Sequence, residues 1–198
     1  MVCRLAEPAT KLALVKNDVH KKAVEAAKKR EGFRHLLWDT LHEEQTVLVW
    51  LVETTRLDAD QHNSILADLG PLLAQADQIV MSNYFGLSPT PSELLVTSEY
   101  SVLELTAFTL KQGRTFEQYC SIYEPNMANW ESQGRRYAMS EAHGPPASEA
   151  HGQMCMWAVA WISIAEAKEA RKDPAFQKVG AEASTLIKES NLFGHIFL

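Results

Sequence analysis

Three side chains stand out as able to do chemistry if the chain folds as its apolar spacing suggests: Glu44, His62 and Glu99. On a helical wheel for residues 33–56, Glu44 falls near the middle of the face made by Phe33, Leu36, Leu37, Val47, Leu48 and Leu51. His62 sits among Ile65, Leu66 and Leu69, and Glu99 is flanked by Leu95, Val102, Leu103 and Leu110, with Glu93, Glu104 and Lys111 on the wet side. A carboxylate buried alone costs several kcal/mol, so each of these groups needs a partner. One partner is a transition metal, because helical bundles hold iron or manganese with inward-facing Glu and His. The Glu-x-x-His pair typical of such sites is missing from the chain. The other partners are a hydrogen bond or ion pair across the bundle for the carboxylates, and a satisfied core position for His62.

A second set of candidates lies in the repeat Ser140-Glu-Ala-His-Gly144, Pro145-Pro146-Ala147, Ser148-Glu-Ala-His-Gly152. Its prolines and glycines interrupt an otherwise helical reading and place His143, His151, Glu141 and Glu149 on one loop over 140–152. Long loops in compact proteins tend to be functional or disordered. The two histidines could converge on a cation, or Ser148 could cap the next helix and leave backbone N–H groups for an anion. A small tandem duplication on the surface is the plain alternative. Beyond the loop, Trp157, Trp161 and Ile164 recur at helical spacing. Trp157 and Trp161 are expected to wall a pocket, with Tyr119, Tyr123 or Tyr137 supplying polar edges. The ligand-binding candidates are therefore His143, His151, Trp157, Trp161 and Tyr137.

Other chemistries find less support. Arg30/His35, Arg56/His62 and Arg136/His143 each have an Arg-x4–6-His spacing that resembles the motif of HEPN-type ribonucleases, themselves all-α. The resemblance implies His as acid/base and Arg on phosphate. It covers no more of the chain, and Glu31, Leu57 and Tyr137 stand where that family usually has a small polar residue. Nucleotide-binding glycine motifs and a GxSxG elbow are absent. Cys3, Cys120 and Cys155 are widely spaced, form no CxxC, and suit a reduced, cytoplasmic protein. Cys120 has no base near it in sequence, which suits a buried structural thiol.

Charge is uneven along the chain. Residues 1–35 carry nine Lys or Arg against four acids, and residues 36–198 carry ten against twenty-one. A basic N-terminal helix over 10–31 on an acidic body is read as a solvated face rather than a nucleic-acid surface, since basic and aromatic residues do not interleave. The longest apolar stretches, Thr46–Val52 and Met154–Ala165, are shorter than the roughly 18 residues of a membrane helix. Glu7 and Pro8 stand where a signal peptide would be apolar.

Caps and breakers divide the chain into helices over about 10–31, 33–56, 58–69, 71–86, 92–111, 115–124, 126–139, 153–171 and 174–189, with an apolar tail over 191–198 that docks on the body. The β-branched residues of Val47–Val52 would also suit a strand, but no Gly, Pro or Asn turn signal flanks them. The expectation is one all-α domain, 1–198, an irregular bundle of about seven or eight helices with 46–52 and 154–165 at its centre. The functional expectation is a non-enzymatic module binding a small molecule or a protein partner, with 140–152 as lid or contact loop. A metal-dependent helical-bundle enzyme using Glu44, His62 and Glu99 is the alternative. Apolar faces on every helix are compatible with a homodimer.

Overall fold

The computed structural model describes all residues except 6, 10, 56–57, 82, 96–98, 133–135, 144–152 and 198. It is not an all-α bundle. The described residues form two antiparallel sheets with helices between their strands, in two compact units: Met1–Tyr84 with His143 and 196–197, and Phe85–Ala142 with 153–195.

The first unit runs β1 (Val2–Leu5), α1 (Lys11–Lys16), α2 (Asp18–Lys28), β2 (Phe33–Thr40), β3 (Val47–Thr54), α3 (Ala59–Leu73) and β4 (Ala76–Met81). Its sheet order is β2-β3-β1-β4. That is the split β-α-β-β-α-β arrangement called ferredoxin-like. The expected helix over 33–56 is thus a hairpin, in which Trp38 faces Trp50 and Leu36 faces Val52. Its loop, 41–46, contains no Gly, Pro or Asn and is closed by Leu41 N–H donating to the Val47 carbonyl at 2.9 Å. In β3, Val47 to Trp50 are all buried, so neither alternation nor a helical stripe marks the strand.

Asn17 caps α2 by accepting from the amides of Val19 and His20 at 2.9 and 3.1 Å. The buried side of α2 is His20, Ala23 and Ala27, a narrow stripe that lets the helix lie close to the sheet. Past its end, Gly32 takes a positive φ of 75°. A Cβ there would meet Thr55 Oγ1 at 2.5 Å. Arg30 pairs with Asp68 and with Ser64 of α3, tying the two helices together. The break expected at Gly70-Pro71 is absent: α3 continues to Leu73 with Pro71 inside its last turn.

The second unit repeats the plan. After β5 (Tyr84–Phe85) and α4 (Pro91–Leu94) come β6 (Val102–Leu110), α5 (Phe116–Ser132), β7 (Arg136–His143), β8 (Met154–Trp161), α6 (Ile164–Ala170), α7 (Pro174–Ser184) and β9 (Ile187–Phe197). The sheet order is β5-β7-β8-β6-β9, so its last four strands follow the same order as the first sheet. One ferredoxin-like plan therefore occurs twice in the chain. The expected helix over 92–111 is the end of α4 followed by the strand β6, and that over 153–171 is the strand β8 followed by α6; both strands are central and buried along nearly their whole length. The expected docking tail is the strand β9. The helix over 174–189 does form as α7, started by Asp173 and Pro174. Among the described residues, no helix is long and apolar enough to cross a membrane.

Candidate functional site

In the second unit, β6 and β8 pair so that Thr106 faces Trp157, Glu104 faces Val159 and Val102 faces Trp161. Strand pleating puts Cys155, Trp157, Val159 and Trp161 on one face, with Val102, Glu104, Thr106 and Phe108 beside them. Helix α5 lays a stripe at i, i+4, i+7 and i+11 over this face: Tyr119, Tyr123, Asn126 and Trp130. The Tyr123 ring meets Trp157 edge-on at 4.4 Å, Trp130 stacks on Trp157 at 6.0 Å, and Tyr137 stands 6.5 Å from Trp157. Phe176 of α7 closes the cluster at 5.2 Å from Trp130.

These rings are the core of the unit, but their polar atoms are poorly served. The Trp157 indole N–H is buried with no acceptor among the described residues. The hydroxyl of Tyr119 donates to that of Tyr123 at 3.2 Å. Burial raises both phenols, Tyr123 to about 12, so both stay protonated. A buried donor left unpaired costs about 1–3 kcal/mol. Native cores rarely tolerate that without a reason.

At the end of the same face lies a charged group. Glu104 Oε2 accepts from Trp161 Nε1 at 2.8 Å and from Arg171 Nη2 at 2.7 Å, with His195 Nε2 at 3.4 Å. Glu104 is 8% exposed and His195 1%. Burial pushes the Glu104 carboxyl up, but the hydrogen bond from His195 and the charge of Arg171 outweigh it, and the net direction is down. The Arg171 guanidinium also lies over the Phe193 ring at 4.8 Å. Glu104 and Trp157 are diagonal neighbours across the strand pair, a separation of about 7–8 Å.

The first unit holds a related arrangement with different chemistry. Trp50 takes the fourth place in β3, as Trp157 does in β8. His20, on a helix between the first two strands of its sheet, meets Trp50 edge-on at 5.1 Å, as Tyr123 meets Trp157. Trp38 stands 4.1 Å from His20. His20 Nε2 and Trp50 Nε1 are both buried without a partner among the described residues. Burial lowers His20 to about 4.

The structure does not gather the expected metal set. Glu44 is exposed in the 41–46 loop and paired with Arg4, Glu99 is exposed in a turn, and His62 lies half-buried on α3. Among the described residues, no group of three or more His, Cys, Asp or Glu could hold a metal. The expected loop is partly strand, since 140–143 end β7, and Ser140 Oγ accepts from Gly86 N–H at 3.0 Å. His143 closes that strand, and His151 lies outside the described residues. Trp157 and Tyr137 do meet, whereas Trp161 serves Glu104. For the ribonuclease-like pairs, Arg30 is held by Asp68 and His35 is exposed on β2. Arg136 lies 5.7 Å from the Tyr100 ring, and Arg56 is outside the described residues. Burial raises Cys120 to about 11, so it is no thiolate nucleophile at neutral pH.

Reading the sequence as helix missed Glu104, Arg171, His195, Trp130 and His20. The signal for Trp130 was available as the 119, 123, 126, 130 stripe. That for His20 was its spacing to Ala23 and Ala27.

No protein-family model matches the sequence, and no curated protein matches it. Solved structures do. A putative monooxygenase from Fusobacterium nucleatum subsp. nucleatum is 9% identical with a TM-score of 0.64, over 100% of this chain and 89% of that one. An anthrone oxidase-like protein is 12% identical at 0.62, over 98% and 89%. A putative monooxygenase from Lactobacillus acidophilus NCFM is 11% identical at 0.54, over 100% and 97%. The whole two-unit fold is shared with these proteins. The expected all-α binding module is corrected on both counts: the body it rested on is built of sheets, and proteins named for oxidation share the fold.

Proposed function

We propose that the second unit is an oxygenase site for a flat, electron-rich aromatic molecule. The observation that carries this reading is the Trp157 indole N–H, buried without an acceptor among the described residues and surrounded by Trp130, Tyr123 and Tyr137. An aromatic substrate displacing or sliding between these rings offers its oxygen to that donor. As the substrate loses a proton from an activated C–H, negative charge grows on the oxygen, and the N–H bond strengthens in the transition state. The electron-rich carbon then gives electrons to dioxygen and forms a C–O bond. Loss of water leaves a carbonyl, so one ring methylene and one dioxygen become one ketone and one water. The substrate itself supplies all four electrons. Glu104 with Arg171 and His195 sets the polar end of the face. The names of the structures that share the fold support this class of reaction.

The test is oxygen uptake with 1,8-dihydroxyanthrone, corrected for spontaneous oxidation. One dioxygen is expected per quinone formed, with a rate about a hundredfold lower in Trp157→Phe, as for loss of one donor to a developing oxyanion. No uptake above background with anthrones or naphthols, or full activity in Trp157→Phe, would overturn the reading.

A further inference from the structure

The first unit contains two buried polar atoms that its own described residues leave unpaired, His20 Nε2 and Trp50 Nε1. They sit on rings 5.1 Å apart, His20 being 1% and Trp50 0% exposed. Trp38 makes a third wall and is itself partly exposed, so one side of the cluster reaches the surface. The pairing of a helix side chain edge-on to the tryptophan of the unit's third main strand matches Tyr123 and Trp157 in the second unit. The chemistry differs, because an imidazole replaces a phenol.

We propose that His20, Trp38 and Trp50 form a second ligand site, and that its ligand is a neutral hydroxylated aromatic molecule. The indole N–H can only donate, so the ligand must bring an acceptor. The imidazole stays neutral in this environment and can accept a proton in a hydrogen bond. A hydroxyl group serves both, accepting from Trp50 and donating to His20. A carboxylate would bury its charge against an apolar cluster, where the Met1 ammonium already donates to the Trp50 carbonyl at 2.7 Å and is itself discouraged from charging by burial. The flat walls of Trp38 and Trp50 suit an aromatic body. His20, Trp38 and Trp50 all belong to the first unit, and ligand binding there does not depend on oxygenase activity in the second.

The experiment is a titration of [15N]tryptophan-labelled full-length protein with 2-naphthol, and with naphthalene as the control for shape. The Trp50 indole signal, assigned by its loss in Trp50→Phe, is expected to move downfield saturably with 2-naphthol and to stay in place with naphthalene. His20→Leu should raise the apparent dissociation constant about fivefold, the effect of one lost hydrogen bond. His20→Gln, which retains an acceptor, should weaken binding less, and it decides the matter if His20→Leu does not fold. The Trp50 shift should persist in Trp157→Phe, whatever that variant does to oxidation. A Trp50 signal that ignores 2-naphthol, or responds equally to naphthalene, would overturn the proposal. So would an indole proton in contact with a long-lived bound water that 2-naphthol fails to displace.

Discussion

Replacing Glu104 with Gln would test whether the charged group of the second unit is held together as its geometry requires. In the native protein one carboxylate oxygen receives Trp161 at 2.8 Å and Arg171 at 2.7 Å, and His195 stands 3.4 Å away. Hydrogen bonds to a charged group contribute about 1.5–3 kcal/mol each. Gln keeps one oxygen for Trp161 but turns an N–H2 toward other donors. The Arg171 side chain is 30% exposed and can turn to water, whereas His195, at 1%, cannot. A loss of about 2–4 kcal/mol at pH 7 follows, between one lost charged bond and a broken buried pair. For a chain of this size it lowers Tm by roughly 4–16 °C. Denaturant unfolding at several pH values supplies the sharper test. The Glu104 carboxyl is held below its usual 4.5, so its contribution is complete above that value and disappears as pH falls through the folded value. The gap between wild type and Glu104→Gln should hold steady from neutral pH down toward 5 and close on further acidification. No gap at pH 7, or an undiminished gap well below the carboxylate range, would refute the reasoning.

Two more predictions concern the first unit. His20 is neutral in the folded protein down to about 4 and titrates near 6.5 when unfolded. Wild type should therefore lose stability as pH falls from 6.5 toward 4, by at most about 1.4 kcal/mol per pH unit, and His20→Phe should lack that component. Chemical denaturation across this range reads it directly. Asn17→Ala removes the cap that holds the first turn of α2, and should cost about 1 kcal/mol in the same assay.

How much of this was legible in the sequence depends on burial. Helix α7 announced itself, because Asp173 and Pro174 mark its start and its exposed side keeps a polar stripe. The strands β3, β6 and β8 did not. Residues on both faces are nearly all buried, so β3 and β8 present long apolar runs and β6 sets Glu104, Thr106 and Thr109 among apolar residues, and such segments read equally as helix. Misreading β6 as part of a longer helix over 92–111 also inverted two glutamates of that segment. On a wheel Glu99 points inward and Glu104 outward, whereas in the structure Glu99 is exposed in a turn and Glu104 lies on the buried face of a strand. The hairpin at 41–46 gave no warning, since backbone hydrogen bonds close it without any special turn residue. Trp157 was expected as a pocket wall, with Tyr123 or Tyr137 as a polar edge, and these rings do meet, because large aromatic residues near a central segment come together under either secondary structure. The repeat went unseen because the two copies share a plan and the place of one tryptophan, with little else in common.

Carrying the plan twice on one chain has a consequence for how such a protein can change. In a symmetric pair of identical subunits, a single mutation lands in both copies at once, and a residue that suits one role must suit the other. Here each half has its own codons. An imidazole stands beside Trp50 and a phenol beside Trp157, and neither copy has to tolerate the other's choice. A plan carried twice in this way leaves each half free to change its chemistry without disturbing the other.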